Sequence, residues 1–295
     1  MSSLGQILVA TDLSQRAARV VERAAALARE HKARLHLLHV AADFSPQTLG
    51  TPYLPAAITS EHEARWDAAT RAELHALAAA VAARQGIAID EYAVFGDPVA
   101  EIDALARRLP ADLIVIGAHG EGFVRGLLLG STAFKLLQHA ACPVLVVRVD
   151  GVQPYRNALI GIDFSPPGRA VFEAARTIAP QAQFTAVHAV RIAFEPRLAA
   201  LTNGPQEIER WRGQVLDAAQ RDLDALVDPL APVGSVAIVR YGHAAQVICA
   251  DAADNGADLV AVGRAARHGV LGQLGSVSRR VLDSVDCDVL VVPAP

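Results

Sequence analysis

The residues best suited to chemistry lie in one stretch, Gly117-Ala118-His119-Gly120-Glu121-Gly122, followed by Gly130-Ser131-Thr132. Glycines let the main chain approach an anion with no Cβ in the way. A helix starting after Gly130 would add unpaired amides and the positive end of its dipole. The hydroxyls of Ser131 and Thr132 add two more donors. The chemistry this suits is a polyphosphate cradle that needs no lysine. The only lysines are Lys32 and Lys135. A Walker-type loop needs Gly-Lys followed by Ser or Thr, whereas Lys32 follows His31 and Lys135 follows Phe134. The dinucleotide fingerprint belongs after a first strand, where Asp12-Leu13-Ser14 stands instead. Gly120-Glu121-Gly122 has the wrong spacing for that fingerprint, and no pyrophosphatase-type Ser-Gly-Gly loop follows the first strand.

The elements that must position these residues are written as alternating patterns. Residues 7–11 form a short apolar run, and 14–31 show helical spacing with Ser14 as the expected N-cap. Strands are expected at 35–40, 87–95, 113–117 and 144–149, and helices at 58–84, 99–108 and 131–141. A proline-bearing loop precedes the long alanine-rich helix, and 118–129 form the glycine-rich loop. Strands so uniformly apolar are buried on both faces, which suits a parallel sheet covered by helices. The βαβαβαβαβ order predicts a doubly wound α/β sheet with right-handed crossovers. In the common five-stranded order 3-2-1-4-5, strand 1 lies beside strand 4, so Asp12 and Gly117 meet where a ligand crevice opens.

The whole pattern occurs twice. Leu8-Val9-Ala10-Thr11-Asp12-Leu13-Ser14 returns as Leu159-Ile160-Gly161-Ile162-Asp163-Phe164-Ser165, and Val20, Glu22 and Ala24 match Val171, Glu173 and Ala175. Asp112-Leu113-Ile114-Val115-Ile116-Gly117 returns as Asp258-Leu259-Val260-Ala261-Val262-Gly263. Gly130-Ser131 returns as Gly275-Ser276, and Cys142-Pro143-Val144-Leu145-Val146-Val147 as Cys287-Asp288-Val289-Leu290-Val291-Val292. Packed elements keep their length while loops lose residues, which explains why the offset shortens along the chain. Two domains are expected, 1–150 and 151–295, each a complete α/β unit.

The 295 residues are 52% apolar and 20% charged, a globular balance. The net charge of -4, from 27 basic and 31 acidic residues with no basic block, argues against a nucleic-acid clamp. Three widely spaced cysteines, Cys142, Cys249 and Cys287, favour neither a disulfide framework nor a thiolate metal site and fit a reducing compartment. The first residues do not read as a signal peptide, and no apolar run is long enough to span a membrane. A soluble cytoplasmic protein is expected.

Gly117, Gly120, Gly130 and Ser131 stand at the spacing Gly, two residues, Gly, nine residues, Gly, then Ser. This resembles the ATP-binding signature of the universal stress protein (UspA) family, and the duplication resembles its tandem form with adenine nucleotide α-hydrolase-like folds. The resemblance implies that Asp12, with Thr11 before it, and the backbone of Val40 border the adenine. It further implies that Ile116 and Gly117 lie along the ribose, and that Gly120, Gly130, Ser131 and Thr132 hold the phosphates. ATP, with Mg2+ or Mn2+ on its phosphates, is the implied ligand. The second half departs from the signature: Gly263-Arg264-Ala265-Ala266 replaces the second glycine by alanine, and Gly263 to Gly275 is one residue shorter. Gly269 and Gly272 offer partial compensation. Its site, Asp163, Gly263, Gly275 and Ser276, is therefore the weaker of the two.

By the same resemblance the chain is a stress-response regulator and not an enzyme. ATP would order the 118–129 loop and shift a partner-binding surface. No general base is evident near the phosphates, so any hydrolysis is expected to be slow. The family pairs domains through last strands, which would join 144–149 to 289–292 within the chain, cover two sheet edges, and leave room for a homodimer. Simpler readings stand beside these. Asp12 and Asp163 are also candidates for capping the first helix of each half. The glycine loop is also readable as the vestige of a nucleotide-free interaction module. An adenylating enzyme would need a phosphate loop after strand 1. His39 and His188 follow strand patterns and are expected to be packed or hydrogen-bonded, His119 to be solvated or near a phosphate, and Cys142 and Cys287 to be small buried residues.

Overall fold

A computed structural model describes residues 4–41, 60–118, 129–148, 151–165, 167–193, 195, 197, 205–264 and 274–294. The chain divides into two compact units, Met1–Gln153 and Pro154–Pro295.

The first unit runs β1 (Gln6–Thr11), α1 (Ala17–His31), β2 (Arg34–Ala41), α2 (Ser60–Gln85), β3 (Ile89–Phe95), α3 (Pro98–Arg108), β4 (Leu113–Gly117), α4 (Ser131–His139), β5 (Val144–Val147). Its strands are parallel in the order β3-β2-β1-β4-β5. The middles of the central strands are buried because each face meets helices: Ile7, Leu8, Val9, Ile114 and Val115 expose nothing. Helix α1 packs with α2, and α3 with α4. The apolar stripe of α1, with Val20, Val21, Ala24 and Leu27 buried, is what seats it on the sheet.

The second unit repeats the order: β6 (Asn157–Gly161), α5 (Pro167–Ile178), β7 (Gln183–Val190), α6 (Pro205–Val227), β8 (Val236–Tyr241), α7 (Ala244–Asp254), β9 (Leu259–Gly263), α8 (Ser276–Ser284), β10 (Asp288–Val292). Its parallel order is β8-β7-β6-β9-β10. Each unit is therefore a doubly wound five-stranded α/β sheet in the expected order 3-2-1-4-5. In β6, Gly161 packs closely under α7: a Cβ there would lie 2.7 Å from Ile248 Cδ1, so the tip of that side chain would have to shift.

Several boundaries differ from the sequence expectation. Helix α1 starts at Ala17 with Arg16 at the N-cap, not after Ser14. Ser14 instead closes a tighter turn ahead of the helix: its carbonyl accepts from Ala17 N at 2.9 Å, while its hydroxyl donates to Asp12 Oδ1 at 2.7 Å and accepts from Ala17 N at 3.3 Å. Strand β3 begins at Ile89 and not at Ile87, because Gly86 takes a left-handed φ of 68° after α2 and the chain needs two residues to reach the sheet. Helix α4 stops at His139, two residues short of the expected end, where Ala140 leaves helical geometry. Strand β5 ends at Val147.

Both sheets are held at their amino ends by a repeated carboxylate. Asp112 Oδ2 accepts from Gly5 N and Gln6 N at 2.7 and 2.9 Å. Asp258 accepts from Arg156 N and Asn157 N at 2.7 and 3.0 Å. The aspartate that opens each repeated Asp-Leu block thus fastens the neighbouring first strand to it.

Candidate functional site

Parallel pairing brings the expected residues to the carboxyl ends of β1, β2 and β4. Val9 pairs with Val115 in β4, so two residues further on Thr11 and Gly117 stand level. Thr11 also pairs with His39, and Val40 follows it in β2. Ile116 is buried in β4 beside Gly117. Thr11, Asp12, Val40, Ile116 and Gly117 thus share one edge of the first sheet. Gly120 and His119 lie outside the described residues.

Helix α4 starts beside that edge. Ala118 N donates to Val147 O at 3.2 Å, and Gly130 N donates to Ala118 O at 2.8 Å. These two bonds bring the start of α4 back to the end of β4. They also commit the Gly130 amide, so the free donors expected here begin at Ser131, not at Gly130. Gly130 is the N-cap and offers no side-chain bond. The first intrahelical bond is Phe134 N to Gly130 O, at 2.9 Å, which leaves the amides of Ser131, Thr132 and Ala133 without intrahelical acceptors. The backbone of Gly130, φ -66° and ψ 151°, is open to any residue. What glycine contributes is a missing side chain. Helix α3 of the same unit is capped conventionally, with Asp97 Oδ1 accepting from Ala100 N at 2.9 Å.

The turn after β1 carries a feature that residue types alone did not reveal. Leu13 has φ 62°, and Phe164, its counterpart after β6, has φ 55°. A side chain with a Cβ rarely adopts this region. Asp12 Oδ1 accepts from Ser14 N at 3.1 Å and from Ser14 Oγ, so it closes this turn and does not cap a helix. Asp12 Oδ2 is buried and has no hydrogen-bond partner among the described residues. Asp163 Oδ1 likewise accepts from Ser165 N, at 3.0 Å, and from Ser165 Oγ, but Asp163 is exposed. The only sequence signal for this turn was the repeat of Asp-x-Ser itself.

His39 and His188 are hydrogen-bonded, as expected: Nδ1 of His39 meets Thr11 O at 2.9 Å, and Nδ1 of His188 meets Ile162 O at 2.6 Å. Cys287 is buried and Cys142 half-buried. Burial, with Asp112 nearby, pushes the Cys142 thiol up to about 11, which makes it a poor nucleophile. Among the described residues no group of three or more His, Cys, Asp or Glu is placed to hold a metal ion, and no helix is long and apolar enough to cross a membrane.

In the second unit, pairing sets Ile162 and Gly263 level in the same way, two residues beyond Ile160 and Ala261. Arg264 N donates to Val292 O and Gly275 N to Arg264 O, each at 2.7 Å, which repeats the closure at α8. Gly275 is again a side-chain-free N-cap in open backbone geometry, followed by Ser276. Two differences alter the crevice. Ser278, where the first unit has Ala133, donates its hydroxyl to the Gly263 carbonyl. Arg264 stands where the first unit has Ala118, and burial lowers its pKa. Ala266, Gly269 and Gly272 lie outside the described residues. The second unit also carries a polar cluster: Glu195, beyond β7, accepts from Tyr241 at the end of β8 and from Arg212 of α6, which hold its carboxyl below the usual range.

The sequence matches the universal stress protein family over residues 4–148 and 154–293. It is similar to a universal stress protein of Mycolicibacterium smegmatis, 29% identical over 97% of this chain and 96% of that one. Its fold is that of a universal stress protein from Archaeoglobus fulgidus, with TM-score 0.70 at 18% identity over 98% of each chain. Half of the chain is also similar to a universal stress protein solved in complex with cAMP, at 27% identity and TM-score 0.38 over 50% of this chain and 98% of that one. The chain belongs to the universal stress protein family, with two tandem family domains.

Proposed function

We propose that this chain is an ATP-binding regulator of the stress response that works in the cytoplasm, with the nucleotide held chiefly by the first unit. The observation that carries this reading is the Asp12 carboxylate. One oxygen is spent on the turn, and the other is buried without a donor among the described residues. A buried polar atom left unsatisfied costs about 1–3 kcal/mol, more when charged. An exocyclic amine such as that of adenine supplies the missing donor. Gly130 supports the phosphate end, since its geometry does not demand glycine and its bare Cα permits close approach. Ser131 and Thr132 bring amides and hydroxyls at the positive end of α4.

ATP fits these residues: an acceptor for the base, a side-chain-free main chain for the phosphates, and no dependence on lysine. A divalent ion, Mg2+ or Mn2+, travels with the phosphates and neutralises their charge. In this reading the chain binds and orients the nucleotide, and the bound and free states differ in their affinity for a protein partner. Calorimetric titration of the purified chain with ATP and Mg2+ tests it. The expected result is saturable binding that is lost in Asp12→Ala. A chain that ignores millimolar ATP and melts unchanged in its presence would return the glycine loop to a nucleotide-free interaction module.

A further inference from the structure

We propose that His39 is a positioning residue for the crevice of the first unit: its Nδ1–H, donated to the Thr11 carbonyl, holds the left-handed turn that presents Asp12. The inference deepens the nucleotide reading and rests on it for its ligand.

A carbonyl oxygen only accepts, so the nitrogen facing Thr11 O must carry the proton, and the tautomer of His39 is fixed by its partner. The bond crosses from β2 to the last residue of β1, the point at which the chain leaves the sheet. Two residues later Leu13 sits at φ 62°. That conformation costs a residue with a Cβ about 1–2 kcal/mol, and it persists where surrounding contacts over-determine it. In the first unit three contacts do so: His39 on Thr11 O, the Thr11 hydroxyl accepting from Leu13 N at 3.0 Å, and Asp12 Oδ1 accepting from Ser14.

The second unit separates their importance. Ile162 replaces Thr11 and has no hydroxyl, yet Phe164 keeps φ 55°. The histidine contact and the aspartate contact both remain, through His188 and Asp163. The Phe164 ring also lies 4.2 Å from the His188 ring, centroid to centroid, so the histidine touches the strained residue directly. The threonine contact is dispensable. The histidine is the restraint from outside the turn that both halves retain.

The test uses the full chain and two readouts: ATP affinity by calorimetry, and exchange of the Ser14 amide by NMR. His39→Leu is expected to weaken ATP about tenfold, the worth of one lost hydrogen bond at the upper end of its range, and to speed exchange at Ser14. His39→Asn, whose amide nitrogen can take the place of Nδ1, is expected to restore both. His39→Gln carries its amide one methylene further out and is expected to behave like His39→Leu. Wild-type ATP affinity and Ser14 protection in His39→Leu would overturn the proposal, as would a His39→Asn no better than His39→Leu. If wild type does not bind ATP, the nucleotide reading fails by itself, and Ser14 exchange in the same variants still decides the role of His39. If His39→Leu does not fold, the comparison of His39→Asn with His39→Gln decides it.

Discussion

Asp12 and Asp163 close the same turn, and they differ in what surrounds the second carboxylate oxygen. In Asp163 that oxygen belongs to an exposed side chain, where water satisfies it at little cost. In Asp12 it is buried. Asp12→Asn leaves an oxygen to accept from Ser14 and puts an amide donor where the free acceptor was. ATP affinity is expected to fall about tenfold or more, the effect of facing one donor with another, with little change in melting temperature. Calorimetry on Asp12→Asn and Asp163→Asn checks this, and equal losses in the two would remove the case for the first unit. A second buried group sets a pH dependence. His36 of β2 bonds through Nε2 to Gln6 Oε1 at 2.7 Å, with Asp90 Oδ2 3.3 Å from Nδ1. Burial lowers its pKa from 6.5 against the opposing pull of Asp90, and Arg34 lowers it further. Below pH 6.5 the unfolded chain therefore takes up a proton that the folded chain resists. The unfolded state binds more protons there, so stability falls as pH drops, until the folded group protonates as well. Urea unfolding at about pH 7.5 and about pH 5.5 should show that loss, and His36→Gln should reduce it.

At the scale of elements, the first strand of each unit has its start fixed by an aspartate from another strand's threshold. Asp112→Ala removes two hydrogen bonds to the Gly5 and Gln6 amides and is expected to cost about 1–2 kcal/mol, discounted because water can reach the freed amides. Asp258→Ala should cost the second unit a similar amount. Denaturant midpoints with unchanged slopes would be the signature. This clamp also explains how much of the fold the sequence made legible. Strands such as Leu113–Gly117 are apolar runs bounded by polar or glycine residues, and burial on both faces dictates that composition. The Asp at the head of the run was visible as part of a repeat, but its bond to a strand about a hundred residues away was not. The start of α1 differs from the expectation because serine is an acceptable N-cap, and nothing local says that the Ser14 carbonyl closes a tighter turn onto Ala17 ahead of the helix. The left-handed Leu13 and Phe164 were illegible for the opposite reason: their residue types argue against the backbone they adopt. Among the candidate site residues, the sheet order and the closure at Ala118 and Gly130 explain why positions so far apart in sequence share one edge.

For the whole molecule, duplication poses the question of whether two crevices do one job or two. The two units share sheet order, turn, strand-end histidine and a glycine N-cap. They part where a phosphate would approach. The second unit places Arg264 for Ala118 and Ser278 for Ala133, and the Ser278 hydroxyl binds the Gly263 carbonyl. Its Asp163 lacks the buried oxygen that asks for a donor. Binding to the native state alone stabilises by RT ln(1 + [L]/Kd), about 2.7 kcal/mol at a hundred times Kd. That energy appears where the ligand sits. Amide exchange followed by mass spectrometry, with saturating ATP and Mg2+, should therefore slow exchange in peptides spanning β1, the turn at 12–14 and the start of α4. Peptides spanning β6, the turn at 163–165 and the start of α8 should be much less affected. Equal protection of both sets would mean that Arg264 and Ser278 are compatible with the same nucleotide and that the chain takes two. Protection confined to the second set would mean that these two residues build the better site, and that the glycine spacing of the first unit is the feature without a ligand.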